Sequence, residues 1–261
     1  MQRKFLILIA IAVLAVIALI LYSLQGSNSG YSKLDNVLVP QSVLNSLNVS
    51  NALLSGIGIG ASGNFPKKIT AHALRLAGKP EILYIGAEYC PYCAAERWPM
   101  IIALSRFGTF SNLHYMTSSP SDFAASTPTF TFYNSTYQSS YITFIAREMT
   151  SNKQVNGTYP TLQVLNATEN NLLNTLDNGG GIPFVDFANM STLSGSTYAP
   201  TALQKMNWSQ IITQFGNQNS TVAQSILGSA NLLTAQICKA TNNTPSSVCS
   251  QSYIQKIETF T

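Results

Sequence analysis

The sequence predicts an α/β fold, and three observations point there. The apolar run Glu81-Ile-Leu-Tyr-Ile-Gly86 reads as a buried strand and leads into a helix-forming run after Pro91. Beyond it, strand-like and helical segments alternate, and helices dominate the last stretch of the chain. No internal repeat divides the 261 residues, a length that suits one large domain or one domain with an insertion.

From the N-terminus, Arg3 and Lys4 precede an unbroken apolar run, Phe5 to Tyr22. At about 1.5 Å per residue in a helix that run spans roughly 27 Å, close to a hydrocarbon core. The next charge is Lys33, so the positive-inside rule puts the short N-terminus in the cytoplasm and the remainder outside. A cleaved signal peptide would carry a shorter apolar stretch and a small-x-small exit, and Leu21-Tyr-Ser-Leu24 is a poor exit. The expectation is a retained single-pass anchor: residues 1–25 as cytoplasmic stub and membrane span, with residues 5–22 in the bilayer.

Residues 26–65 read as a Gly/Ser-rich tether and lead-in, with Val37 to Leu54 at roughly helical spacing and a Gly-rich stretch from Gly56 to Gly63. The folded core is expected to begin near Leu74. A strand is expected at 81–87, a helix at about 91–106 and a strand at 113–117. Thr129–Tyr133 and Tyr141–Ile145 alternate well enough for half-buried strands. A short helix, Glu169 to Leu176, runs to Gly179-Gly-Gly181, and Ile182–Ala188 is another strand. Helices are expected at about 200–215, 221–238 and 246–258.

Only 9% of residues are Asp, Glu, Lys or Arg, against about 25% in an average soluble protein. Ser, Thr, Asn and Gln take their place. A surface hydrated without carboxylates changes little when carboxylates are protonated, which implies an acidic exterior. Net charge is +4, with no basic cluster beyond the N-terminus, so nothing marks a nucleic-acid partner. Eight Asn-x-Ser/Thr sequons begin at Asn48, Asn134, Asn156, Asn166, Asn189, Asn207, Asn219 and Asn242, which fits an exported glycoprotein.

The chemistry concentrates in Cys90-Pro91-Tyr92-Cys93 at the strand-to-helix junction. Cys90 falls at a helix N-terminus, where free N–H groups and the macrodipole favour a thiolate. It is the expected nucleophile, and Cys93, one turn inside, the resolving thiol. A structural disulfide and half of a metal site are the alternatives. Tetrahedral zinc needs four ligands, and the chain has two histidines, His72 and His114, and no second CxxC. No metal or cofactor is expected. Copper delivery is a weaker idea, because no His or Met cluster lies near the motif. Glu96 and Arg97 read as a solvated helix face, and Trp98 as core. Cys238 and Cys249 are expected to form a structural disulfide; a second redox pair is the alternative.

The stretch Ala87-Glu88-Tyr89-Cys90-Pro91-Tyr92-Cys93 resembles the thioredoxin Ala-Glu-Trp-Cys-Gly-Pro-Cys, with a glutaredoxin-type Pro-Tyr inside. Gly181-Ile182-Pro183 is similar to the Gly-Ile-Pro that carries the cis-proline of that superfamily. Residues 78–98, with Thr127–Tyr133, resemble an archaeal, membrane-anchored, thioredoxin-like family catalogued only as a domain of unknown function. The resemblance implies a thioredoxin-like domain over 66–261: a central mixed sheet flanked by helices, an insertion at about 134–181 and a helical part at about 200–261. It implies that Pro183 is cis and faces the thiols. Tyr89, Pro91, Tyr92 and Ile182 are the expected substrate-binding residues, though the two tyrosines read equally as ring packing. Where thioredoxins place a buried proton-accepting Asp, six residues before the first cysteine, this chain has Tyr84. The resolving thiol then needs another base or water. Pro99 lies six residues after Cys93, where thioredoxin's helix kinks at five.

The expectation is a membrane-anchored, extracytoplasmic thiol-disulfide oxidoreductase. Its partners would be exported protein thiols or disulfides and a redox partner in or outside the membrane. The alternative is a redox-inactive thioredoxin-like binding or assembly module with structural cysteines.

Overall fold

The computed structural model describes residues 31–177 and 181–261. The expected anchor therefore lies outside the described residues, as do residues 26–30 of the tether. No helix among the described residues is long and apolar enough to cross a membrane.

A 3-10 turn, Tyr31–Leu34, precedes helices α1 (Gln41–Leu47) and α2 (Asn51–Ile57). Strands β1 (Lys67–Lys68), β2 (Arg75–Leu76) and β3 (Lys79–Gly86) lead to helix α3 (Pro91–Ser105). Strands β4 (Gly108–Ser111), β5 (His114–Thr117), β6 (Pro128–Thr131), β7 (Thr136–Ser139) and β8 (Thr143–Glu148) follow. Helix α4 (Ala167–Leu176) comes before strands β9 (Phe184–Phe187) and β10 (Ser191–Ser194). The chain closes with a 3-10 helix, Pro200–Leu203, and helices α5 (Trp208–Gln214), α6 (Thr221–Ala240), α7 (Ser246–Cys249) and α8 (Ser252–Glu258).

The result is a mixed α/β fold with a mixed sheet flanked by helices. The sheet runs β1-β10-β9-β3-β2, and β8 also pairs with β3. β8 is parallel to β3, from Glu81 opposite Thr143 to Gly86 opposite Glu148. β9 is antiparallel to it, with Ile82 opposite Phe187 and Ile85 opposite Phe184. β3 is apolar on both faces because both are covered. Ile82, Tyr84, Val185 and Phe187 join the large core that includes residues of α3 and α6. Leu83, Ile85 and Phe184 meet Leu173 of α4 on the other side. Two small antiparallel sheets, β4 with β7 and β5 with β6, lie outside the main one.

Three expectations need correction. The lead-in is no mere tether: Val39, Leu47, Leu54 and Ile57 are buried in the large core. Asn231 of α6 donates to the carbonyls of Leu54 and Gly58 at 2.8 and 2.7 Å, tying the end of α2 to α6. α6 passes so close to this segment that a Cβ on Gly228 would lie 2.3 Å from the Ile59 carbonyl oxygen. Second, the stretch 134–181 supplies β8 and α4, one strand and one covering helix of the main sheet, so it is not a detachable excursion. Third, the helix expected at 200–215 is broken. Lys205 takes a left-handed backbone (φ 63°), and helix α5 restarts from a reciprocal cap between Asn207 and Gln210.

Residues 36–38 run antiparallel beside β5, with Asn36 N–H donating to Tyr115 O and Tyr115 N–H to Val37 O, both at 2.9 Å. Asp35 continues to the end of β5. Its carboxylate accepts from the Thr117 N–H and the Asn152 amide at 2.8 Å each, and Lys153 Nζ lies 3.6 Å away.

Candidate functional site

Cys90 is the N-cap of α3. Its backbone is extended (φ −73°, ψ 124°), and Pro91 occupies the first turn, where its missing N–H costs nothing. The sulfur does the work of a capping oxygen, accepting from the Cys93 N–H at 3.3 Å. Both cysteines are free thiols. Cys90 is 6% exposed and Cys93 fully buried.

β9 pairs with β3 and brings the residues before it across from the motif. The Ile182–Pro183 peptide is cis. The Cys90 thiol points at the Ile182 carbonyl oxygen, 3.7 Å away. Pro183 is buried and Ile182 half-buried.

The thiols differ electrostatically. A hydrogen bond from the Cys93 thiol holds Cys90 below the ordinary thiol range, helped by the Cys93 and Tyr92 N–H groups and the Arg97 charge, against burial. Burial pushes Cys93 well up, reinforced by its hydrogen bond to Cys90 and by the Cys90 charge. The outer sulfur is the one set to ionise first.

The expected substrate-binding residues sit at three depths. Tyr92 is 43% exposed, and its ring lies 5.5 Å from that of exposed Phe123. Tyr89 is half-buried and stacks on Tyr159 at 4.4 Å, while the Tyr159 hydroxyl donates to Ser119 Oγ at 2.6 Å. Pro91, within the motif, is buried. Phe123 and Tyr159 were invisible to sequence reasoning: each is a lone aromatic in a polar loop, thirty residues or more from the motif.

Glu96 and Arg97 do not form a solvated face. Both are fully buried. Arg97 is forked onto Glu148, Nε to Oε1 at 2.8 Å and Nη2 to Oε2 at 2.6 Å, and Nη2 also donates to the Ala87 carbonyl at 2.8 Å. Glu96 accepts from the Thr197 N–H and hydroxyl, both at 2.7 Å. Burial pushes its carboxyl up to about 8. Glu88, two residues before Cys90, is buried, accepts from the Thr131 hydroxyl at 2.7 Å, and is pushed by burial up to about 7. Trp98 is fully buried and donates from its indole N–H to Pro128 O at 2.8 Å.

Cys238 and Cys249 form a disulfide joining α6 to α7, with both sulfurs in the large core.

Compared with known proteins, the chain matches one family model, described as "Domain of unknown function (DUF929)", over residues 66–239. That span holds the main sheet, both motif cysteines, Pro183 and nearly all of α6. No curated protein and no solved structure matches the chain. The match covers well over half of the sequence, so the chain belongs to the DUF929 family.

Proposed function

We propose that this domain is a thioredoxin-like thiol-disulfide oxidoreductase that exchanges disulfides with exported proteins on the outer side of a membrane. One observation carries the reading. A free Cys90 caps a helix N-terminus, partners the buried Cys93 and faces the carbonyl of a cis Ile182–Pro183 bond.

The chemistry follows from the asymmetry of the two thiols. The Cys90 thiolate attacks a client disulfide, forming a mixed disulfide and releasing one client thiolate. Cys93 then attacks Cys90 Sγ, closing the Cys90–Cys93 bond and releasing the second client sulfur. Two electrons pass from the cysteine pair to the client; the reverse sequence oxidises a dithiol. Tyr92, Phe123 and the half-buried Ile182 form an apolar border that suits an extended peptide. The layout also agrees with the thioredoxin resemblance: the motif strand, its helix, a parallel strand β8, and an antiparallel pair β9–β10 beginning just after Pro183.

Insulin reduction and refolding of a reduced exported substrate test the reading. Cys90→Ser should abolish both, and Cys93→Ala should accumulate clients as mixed disulfides. Full activity of Cys90→Ser, or an empty Cys93→Ala trap, points instead to a redox-inactive binding module.

A further inference from the structure

A fully buried glutamate ordinarily has a positive partner, because a lone carboxyl loses its hydration. Glu96 is fully buried and has none among the described residues. Its neighbour Arg97 is turned to Glu148 and the Ala87 carbonyl. Both hydrogen bonds of Glu96 come from one residue: the Thr197 N–H and hydroxyl converge on Oε2 at 2.7 Å each. The other oxygen, Oε1, has no partner among the described residues. Two donors on Oε2 leave Oε1 to carry the acid proton. Burial pushes the carboxyl up to about 8, so the group is neutral at pH 7.

Thr197 belongs to a short strap, residues 195–198, that follows β10. Gly195 takes a left-handed backbone (φ 80°), and its N–H donates to the Pro183 carbonyl at 2.7 Å. Two residues on, Thr197 holds Glu96, and the Tyr198 hydroxyl donates to the Ala95 carbonyl of the same helix at 2.8 Å. The lead-in grips the strap as well. Gly63 N–H donates to the Thr197 carbonyl at 2.9 Å, and the Asn64 amide to the Ser194 and Ser196 carbonyls at 2.8 and 3.3 Å. The strap therefore joins two walls of the thiol site. One end holds the residue after Ile182, whose carbonyl stands 3.7 Å from Cys90 Sγ. The other end holds α3 at residues 95 and 96, about one turn beyond Cys93.

We propose that Glu96 is a positioning residue of the exchange site: through Thr197 it latches the strap to the motif helix and so fixes the Ile182–Pro183 main chain opposite Cys90. The proposal rests on the exchange reading above. An extended client peptide lying against that main chain depends on the latch, whereas a small disulfide needs only the Cys90 sulfur. The latch also has a pH limit. Latched, the carboxyl holds its proton up to about pH 8; hydrated, it would release it near 4.5, so ionisation favours the open form. The groups facing it do not offset the charge. Arg97 on α3 is committed to Glu148, and the Tyr198 phenol on the strap to Ala95.

The test uses the full-length chain in detergent, with insulin as the peptide disulfide and dithiobis(nitrobenzoate) as the small one. Glu96→Leu should raise KM for insulin about tenfold, the size of one lost hydrogen bond, an effect that the small disulfide does not share. Glu96→Gln keeps an oxygen for Thr197 and should restore the insulin KM at pH 7. From pH 7 to pH 9 the wild-type KM should climb about threefold or more while that of Glu96→Gln stays level. Cys90 titrates in both proteins, so the difference belongs to residue 96. Insulin left intact by the wild type overturns the exchange reading, and this proposal with it. Insulin reduced by the wild type, with an unaltered KM in Glu96→Leu, overturns the positioning role alone. So does an equal loss of both reactions, which marks general packing. Where leucine prevents folding, the wild type and Glu96→Gln decide: parallel pH profiles overturn the proposal, and diverging ones uphold it.

Discussion

Arg97 and Glu148 face each other with no solvent contact on either side chain. Removing one partner would leave the other charged in a dry interior, a change that typically destabilises by about 3–5 kcal/mol. Arg97→Met should therefore lower the urea midpoint severely. The double variant Arg97→Met/Glu148→Leu should recover most of that loss, since a packed apolar pair avoids the desolvation cost. Equal loss in the single and double variants would show that the pair is held for its shape and not for its charge balance. Sequence could not have revealed this pair. The two residues are 51 positions apart, and a charged dipeptide on a helix ordinarily points to water. The same holds for Glu96, whose partner Thr197 is 101 positions away. Cys90 and Cys93 were legible because their chemistry depends on local spacing and on Pro91 at the helix start.

At the scale of elements, legibility follows how local the cause is. The expected strand at 81–87 and helix at 91–106 fall within two residues of Lys79–Gly86 and Pro91–Ser105, because an apolar run and a helix cap are written in adjacent residues. The helix expected from Glu169 begins at Ala167, where Asn166 and Glu169 cap each other. Elements decided by distant packing were harder to place. β7 is a polar strand that exists through its pairing with β4. The strand expected at Tyr141–Ile145 slides forward to Thr143–Glu148, into register with β3. Helices α1 and α2 looked like a lead-in because their apolar sides are narrow; α6 and α3 complete them. The Cys238–Cys249 bridge belongs to this scale, since it fastens α7 to the C-terminal part of α6 over a separation of 11 residues. In the loop-entropy model such a bridge contributes roughly 3 kcal/mol. Cys238→Ala/Cys249→Ala should lower the unfolding free energy by about that amount and leave insulin reduction intact. Loss of reduction with an unchanged fold would reveal a relay through this second pair. Mild reductant followed by mass spectrometry should modify Cys90 and Cys93 first.

At the scale of the whole molecule, the few carboxylates are disposed for acid. Burial raises Glu96 to about 8 and Glu88 and Asp186 to about 7, against ordinary values of 4.5, 4.5 and 3.8. Between those ordinary values and the raised ones, the folded chain holds protons that the unfolded chain has released. Unfolding then frees protons, so stability falls as pH rises through that window and is greatest below about pH 4.5 for these groups. Chemical denaturation at pH 4 and pH 8 should give the higher midpoint at pH 4. A collapse of stability on going from neutral pH to pH 3 would contradict both this linkage and the acidic setting that the sparse charge implies. Six of the eight sequon asparagines are exposed, and Asn189 and Asn207 are half-buried, so six would be open to glycosylation in an exported chain.

The Asp35 clamp also orients the molecule. Thr117, Asn152 and Lys153 hold residue 35 at the end of the fold where Ser119 N–H donates to Tyr89 O and Thr150 O accepts from Glu88 N–H. Residue 35 is thus tied two positions from the Ser119 that holds Tyr89, beside the motif. Between the apolar run expected in the bilayer, residues 5–22, and Tyr31 there are eight residues, a reach of at most about 28 Å. Were residues 5–22 to lie in a bilayer, that length would set the farthest the thiols could stand from the lipid surface.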